Sequence, residues 1–252
     1  MKSKLRRALL LGLVALLVAG PMALGQGRPQ NEEFHYQWQL RNFLGTIAGL
    51  FLPNHGEGFL TFKPVGNGHL QSELTITSSA ARQGEYFRYG SEMDTRTLQP
   101  IRAWSSYSWR GETKSKSSPI EQTGVLDIAS GIYAIRQNPP DKPRRMEIWS
   151  DGKIYPVLVI PLGVEGRRMQ DGRKMDLRHF SIRGIDTPDR EKWKGKLDLW
   201  LARDEAATPV EILLSRNLAD VHLELKSLQS AGQERPGDRS RSGAVHRLSR
   251  RR

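Results

Sequence analysis

The chain holds six histidines, several acidic pairs and no cysteine. The histidines are His35, His55, His69, His179, His222 and His246. No two stand at the i, i+4 spacing of a zinc protease helix, nor in any short metal-ligand pattern. His222 and Glu224 share one strand face, where the simplest expectation is a solvated polar pair. Hydrolysis by two carboxyls needs one in an apolar pocket and one left ionised. Glu92 and Asp94, which follow the Tyr86–Tyr89 aromatics, are the acids best placed for that. Asp204 and Glu205 fall in a hairpin loop before Pro209, and Asp198 faces away from the leucines of its strand. There is no Gly-x-Ser-x-Gly elbow, and Ser130-Gly131 does not supply one. No glycine-rich dinucleotide loop or Walker loop is present. These residues define no catalytic set and call for no cofactor or metal.

The aromatic and aliphatic residues say more. Trp38, Trp104, Trp109, Trp149, Trp193 and Trp200 are spread over the chain, several opposite an obvious apolar face. Trp200 opposes Leu197, Leu199 and Leu201. A strand apolar on both faces must be covered on both. The cover is either a second layer, such as a helix lying on the outer face, or a ligand held in a concave sheet. The segment Arg41–Leu52 (RNFLGTIAGLFL), closed by Pro53, is too apolar for a plain surface connection. Phe43, Ile47, Leu50, Phe51 and Trp200 are therefore the candidate contacts for an apolar ligand.

Strands dominate what positions these residues. Phe34, Tyr36, Trp38 and Leu40 alternate with His35, Gln37 and Gln39. The same period of two runs through Leu70–Ile76, Leu197–Leu201, Val210–Leu214 and Val221–Leu225, so one face belongs to a core. Further strands are expected at Phe59–Lys63, Glu85–Tyr89, Ile101–Trp109, Met146–Trp149, Ile154–Ile160 and Met175–Ile182. Gly66-Asn67-Gly68, Asp151-Gly152, Asp171-Gly172 and Lys194-Gly195 read as hairpin turns. Val125–Gln137 departs from this pattern. Asp127 can cap a helix whose Ile128, Ile132 and Ile135 share a face, and Pro139-Pro140 stops it. The expected fold is mainly β: a large curved antiparallel sheet or open β-barrel with one short docked helix.

The ends differ from the body. Of 12 net positive charges, four lie in the first 26 residues and five from Ala231 onward, which leaves three for the middle. A body so near neutrality does not match a nucleic-acid backbone. Lys2, Lys4, Arg6 and Arg7 precede an unbroken apolar run, Ala8–Gly20. Pro21 and the small residues of Ala23-Leu24-Gly25 follow. That is the layout of a cleaved signal peptide over residues 1–25, too short to span a bilayer. No transmembrane segment is expected after cleavage, and the destination is the periplasm or the exterior. Residues 26–230 form a single β-rich domain. Residues 231–252, nearly devoid of apolar side chains, read as a disordered basic tail whose Arg250, Arg251 and Arg252 can contact an anionic surface.

Several stretches also resemble a known family. Leu197–Asp204, then Pro209-Val210-Glu211-Ile212 and Leu223-Glu224-Leu225, look like the closing hairpins of the exported bacterial domain-of-unknown-function family 3108. Tyr36-Gln37-Trp38, Leu98-Gln99-Pro100, Asp127-Ile128-Ala129-Ser130 with Tyr133 and Arg136, and Trp149-Ser150-Asp151-Gly152 before Tyr155 fall in that family's order. The likeness covers most of residues 34–228. It implies a predominantly antiparallel β protein of the cell envelope and no established activity, so it transfers no catalytic residue. The Arg41–Leu52 insert and the arginine tail depart from its pattern. The sequence thus favours a non-catalytic envelope protein that binds a lipid or other apolar molecule. The other readings are an envelope protein with a protein partner and, last, a hydrolase of an envelope polymer.

Overall fold

The computed structural model describes residues 31–41, 54–78, 84–109, 111–216 and 219–230. The expected signal peptide, the Arg41–Leu52 insert beyond Arg41, and the basic tail fall outside the described residues.

Among the described residues, thirteen strands form one sheet. They are β1 (Glu32–Arg41), β2 (His55–Pro64), β3 (His69–Ser78), β4 (Tyr86–Asp94), β5 (Pro100–Trp109), β6 (Glu112–Pro119) and β7 (Val125–Leu126). After them come β8 (Arg144–Ser150), β9 (Lys153–Arg168), β10 (Lys174–Gly184), β11 (Gly195–Ala202), β12 (Pro209–Arg216) and β13 (Ala219–Ser230). The spatial order is β6-β5-β4-β3-β2-β1-β13-β12-β11-β10-β9-β8-β7. Strands β1–β6 form one meander and β8–β13 another, and the first and last long strands zip the halves together, with Phe34 opposite Leu228 and Leu40 opposite Val221. Every pairing is antiparallel except β7 with β8. Among the described residues, the fold is one large curved sheet with one helix, as expected from the alternation and the Asp127 cap.

The alternating residues face inward as expected. Phe34, Tyr36, Leu60, Phe62, Leu70, Leu74, Leu199 and Leu223 are fully buried in one cluster. Gly66, Asn67 and Gly68 all take positive φ in the β2–β3 turn, as do Asp151 and Gly152 in the β8–β9 turn. One reading needs correction, and two strands were not expected. Lys194-Gly195 is not a tight turn, because ten residues separate Gly184 from Gly195. Val125 and Leu126, just ahead of the Asp127 cap, form a two-residue strand that was not expected. The strand β6 (ETKSKSSP) went unread because it is an exposed edge with no apolar period. Its Lys114 and Lys116 suit such an edge, since charge there discourages pairing with another chain.

The helix α1 (Ile128–Gln137) begins at Asp127, whose side chain accepts from the backbone N–H groups of Ala129 and Ser130. Ser91 on β4 also donates to Asp127, at 2.8 Å. Burial pushes this carboxyl's pKa up, against the pull of those hydrogen bonds. Ile128, Ile132 and Ile135 pack among the inward-facing leucines. The helix therefore fills the concave side and does not cover the outer face, which corrects that expectation. Isoleucines at positions i, i+4 and i+7 give it one apolar stripe, and a sheet curved this strongly leaves room to receive it.

The two free edges approach each other without a shared ladder. Ala103, Ile120, Val125 and Trp149 pack between them. Lys116 on β6 donates to the Asp151 carbonyl at 2.8 Å. Side chains and loop contacts, rather than strand pairing, draw these edges together.

Candidate functional site: an apolar cavity at one end of the sheet

Antiparallel pairing brings alternate strand ends to the same side, and here those ends enclose a cavity of about 500 Å³. The ends of β1 and β3 supply Trp38, Leu40 and Ile76. The β4–β5 pair adds Phe87, Tyr89, Tyr107 and Trp109. From the other half come Leu214 on β12 and Val221 on β13, with Trp193 just before β11 and Ile128 opening α1. Volume and lining are those of a site for a small apolar molecule.

Local sequence explains how the two tryptophans that line the cavity, one from each half, are seated. Trp38 lies over Gly56, where a Cβ would come within 2.6 Å of the indole nitrogen. Without that Cβ, the ring lies flat and its N–H donates to the Thr77 carbonyl at 2.7 Å. Trp193 likewise lies over Gly195, where a Cβ would stand 2.6 Å from its ring. The wall thus presents ring faces to the cavity. Phe87 is 39% exposed even though it packs on Tyr107 and Trp109, with centroids 6.0 and 6.2 Å away. Aromatic surface of this kind, left open to solvent, marks the mouth.

Of the candidate ligand contacts, Phe43, Ile47, Leu50 and Phe51 lie outside the described residues. The chain on either side of them is at the rim, since the Leu40 N–H donates to the Asn54 carbonyl at 2.9 Å and Leu40 lines the cavity. Arg250, Arg251 and Arg252 are also outside the described residues. Trp200 is described, and it is on the opposite face of β11 from the cavity. It packs with Met169, Leu177 and Val210, stacks on His179 at 4.3 Å and lies under the Arg167 guanidinium at 4.8 Å. The β9–β10 hairpin, rather than the helix, packs over this part of the outer face.

The same hairpin overturns the reading of His222 and Glu224 as solvated. Both are buried. His222 meets Glu211 at 3.1 Å, Arg167 reaches Glu211 at 2.5 Å, and Glu224 accepts from the Gln170 N–H at 2.6 Å. Burial pushes the Glu211 carboxyl up, but hydrogen bonds from His222 and Arg167 outweigh it and set the pKa at about 2, below the usual 4.5. Asp198 faces away from the leucines as expected, yet it too is buried, paired with Lys196 and facing His179.

A depressed folded-state pKa stabilises the native state above the unfolded value and ceases to as pH falls through the folded one. Stability should therefore drop between about pH 4.5 and pH 2. Glu211→Gln should flatten that part of an acid denaturation curve while lowering stability at neutral pH. An unchanged acid limb would show that Glu211 is not the linked group.

The two acids favoured for hydrolysis are engaged elsewhere. Glu92 accepts from or pairs with His69 at 2.8 Å and stands 3.7 Å from Arg102. Asp94 accepts from the N–H groups of Arg96 and Thr97 in the β4–β5 turn, at 3.0 and 2.8 Å, and these bonds lower its pKa. Neither lines the cavity. Among the described residues, no three His, Asp or Glu side chains converge as metal ligands would.

No family model and no curated protein matches the sequence, so the likeness to family 3108 rests on its motifs. Among solved structures, the chain is similar to a β-barrel-like protein of domain-of-unknown-function family 1849 from Brucella abortus. Identity is 10% and the TM-score 0.45, over 82% of this chain and 100% of that one. It is also similar to the hypothetical lipoprotein YmcC from Escherichia coli, at 9% identity and a TM-score of 0.31, over 79% and 84%. A putative outer membrane lipoprotein-sorting protein domain from Vibrio parahaemolyticus matches at 8% identity and a TM-score of 0.32, over 84% and 90%.

Proposed function

We propose that this is an exported cell-envelope protein that binds the hydrocarbon part of an apolar or amphiphilic molecule in the cavity between Trp38 and Trp193. The carrying observation is the cavity itself: about 500 Å³, walled by aromatic and aliphatic side chains and open at one end. Burial of apolar ligand surface contributes about 25 cal/mol per Å². A flexible chain is therefore held mainly by contact area, with few polar groups needed. Binding as the role is supported by Glu92 and Asp94, the acids considered for hydrolysis, being committed to outer-face and turn contacts away from the cavity. Export rests on the charged and apolar layout of residues 1–25, and the motif likeness to an envelope family points the same way.

Organic extraction of natively purified protein, followed by mass spectrometry, tests this reading. A lipid or other long-chain species near one per chain is the expected result. Repeated recovery of protein with no bound apolar species, together with failure to take one up on incubation, would count against it.

A further inference from the structure

The β9–β10 hairpin has two faces of opposite character. On one, Glu165, Arg167, Met175, Leu177 and His179 pack against Trp200 and its neighbours and are buried or half-buried. On the other, register places Val164 opposite Arg178, Gly166 opposite Asp176 and Arg168 opposite Lys174, and all six are exposed. Leu162 is the additional residue of the bulge where the pairing shifts at His179 and Phe180. Leu162 and Val164 are 50% and 53% exposed, the two most exposed large apolar side chains among the described residues. Among the described residues, Arg168, Lys174 and Arg178 have no ion-pair partner, against one acid, Asp176, on the same face. Two aliphatic side chains beside three unpaired cations match a surface that is negative above and hydrocarbon below.

We propose that this face of the hairpin docks on an anionic lipid surface, with Leu162 and Val164 entering the headgroup region and Arg168, Lys174 and Arg178 meeting its phosphates. The packed face explains why the geometry is held ready. Arg167 bonded to Glu211, and Gln170 bonded to Glu224, fasten the hairpin to β12 and β13. Its outward face is then presented on a rigid element.

The test is cosedimentation of the natively processed protein with phosphatidylglycerol-containing vesicles and with pure phosphatidylcholine vesicles. Binding should require phosphatidylglycerol and weaken as salt rises. R168Q, K174Q and R178Q combined should lower the affinity about a hundredfold, because each cation near an anionic surface contributes about fivefold. L162S with V164S should lower it further without moving the melting temperature. Because the chain has no cysteine, V164C can carry a single polarity-sensitive dye. That dye should shift to the blue on anionic vesicles, and the same dye at T113C should not. Vesicle binding untouched by both sets of substitutions, or a dye at position 164 that stays in water, would overturn the proposal.

Discussion

Replacing Arg136 by methionine is expected to destabilise the protein by about 3–5 kcal/mol, the usual cost of breaking a buried, hydrogen-bonded charge pair. Arg136 lies in the last turn of the helix α1 and is 6% exposed. Its Nη1 and Nη2 donate to the two carboxylate oxygens of Glu32 on β1 at 3.0 and 3.2 Å. Nε and Nη2 also donate to the carbonyls of Ala207 and Ala206 at 3.2 and 3.0 Å. The guanidinium lies 4.8 Å from the Phe34 ring and 5.3 Å from that of Phe62. One side chain thus ties the helix, the first strand and the β11–β12 loop at the end of the sheet away from the cavity. Methionine keeps the length but leaves two carbonyls without their donor and a carboxylate without its charge partner. Urea denaturation measures the effect. Lys153→Met, which breaks the exposed pair with Glu191, should leave the midpoint unmoved. If Arg136→Met did the same, the helix would be held by its isoleucines alone.

The second large effect is expected at the cavity. Leu214 is a partly buried wall residue on β12, next to Val221 of β13 in register. Tryptophan in its place would occupy room otherwise open to a hydrocarbon chain. Excluding about three methylenes, at about 0.8 kcal/mol each, lowers the affinity for a long-chain fatty acid about fiftyfold. Since the added ring projects into open volume, the melting temperature should change little. A parallel fall in both would mean that Leu214 supports the core and not a binding wall.

Sequence legibility follows the range of the interactions. Phe34–Leu40, Leu70–Ile76 and Leu197–Leu201 announce their strands because alternation is local, and Asp127 announces its helix because a cap bonds residues only two and three positions on. The strand β6 has no apolar period, so its place is set only by pairing with β5. His222 and Glu224 read as solvated because their cover, the hairpin near Arg167 and Gln170, is more than fifty residues away. Arg136 acts as a clamp only through Glu32, 104 residues earlier, so nothing local to the helix marks that role. The cavity was the least legible feature, since its walls come from the ends of strands in both halves. Its local signs were glycines facing inward beside tryptophans, Gly56 under Trp38 and Gly195 under Trp193.

The most direct test of the central claim is a titration with an environment-sensitive fatty acid, followed by displacement with unlabelled fatty acid. The account predicts saturable binding at one site per chain, reversed by the competitor and weakened about fiftyfold in Leu214→Trp, in line with the methylene contribution above. Absence of saturable binding by the native protein, or equal binding by the native protein and Leu214→Trp, would contradict it.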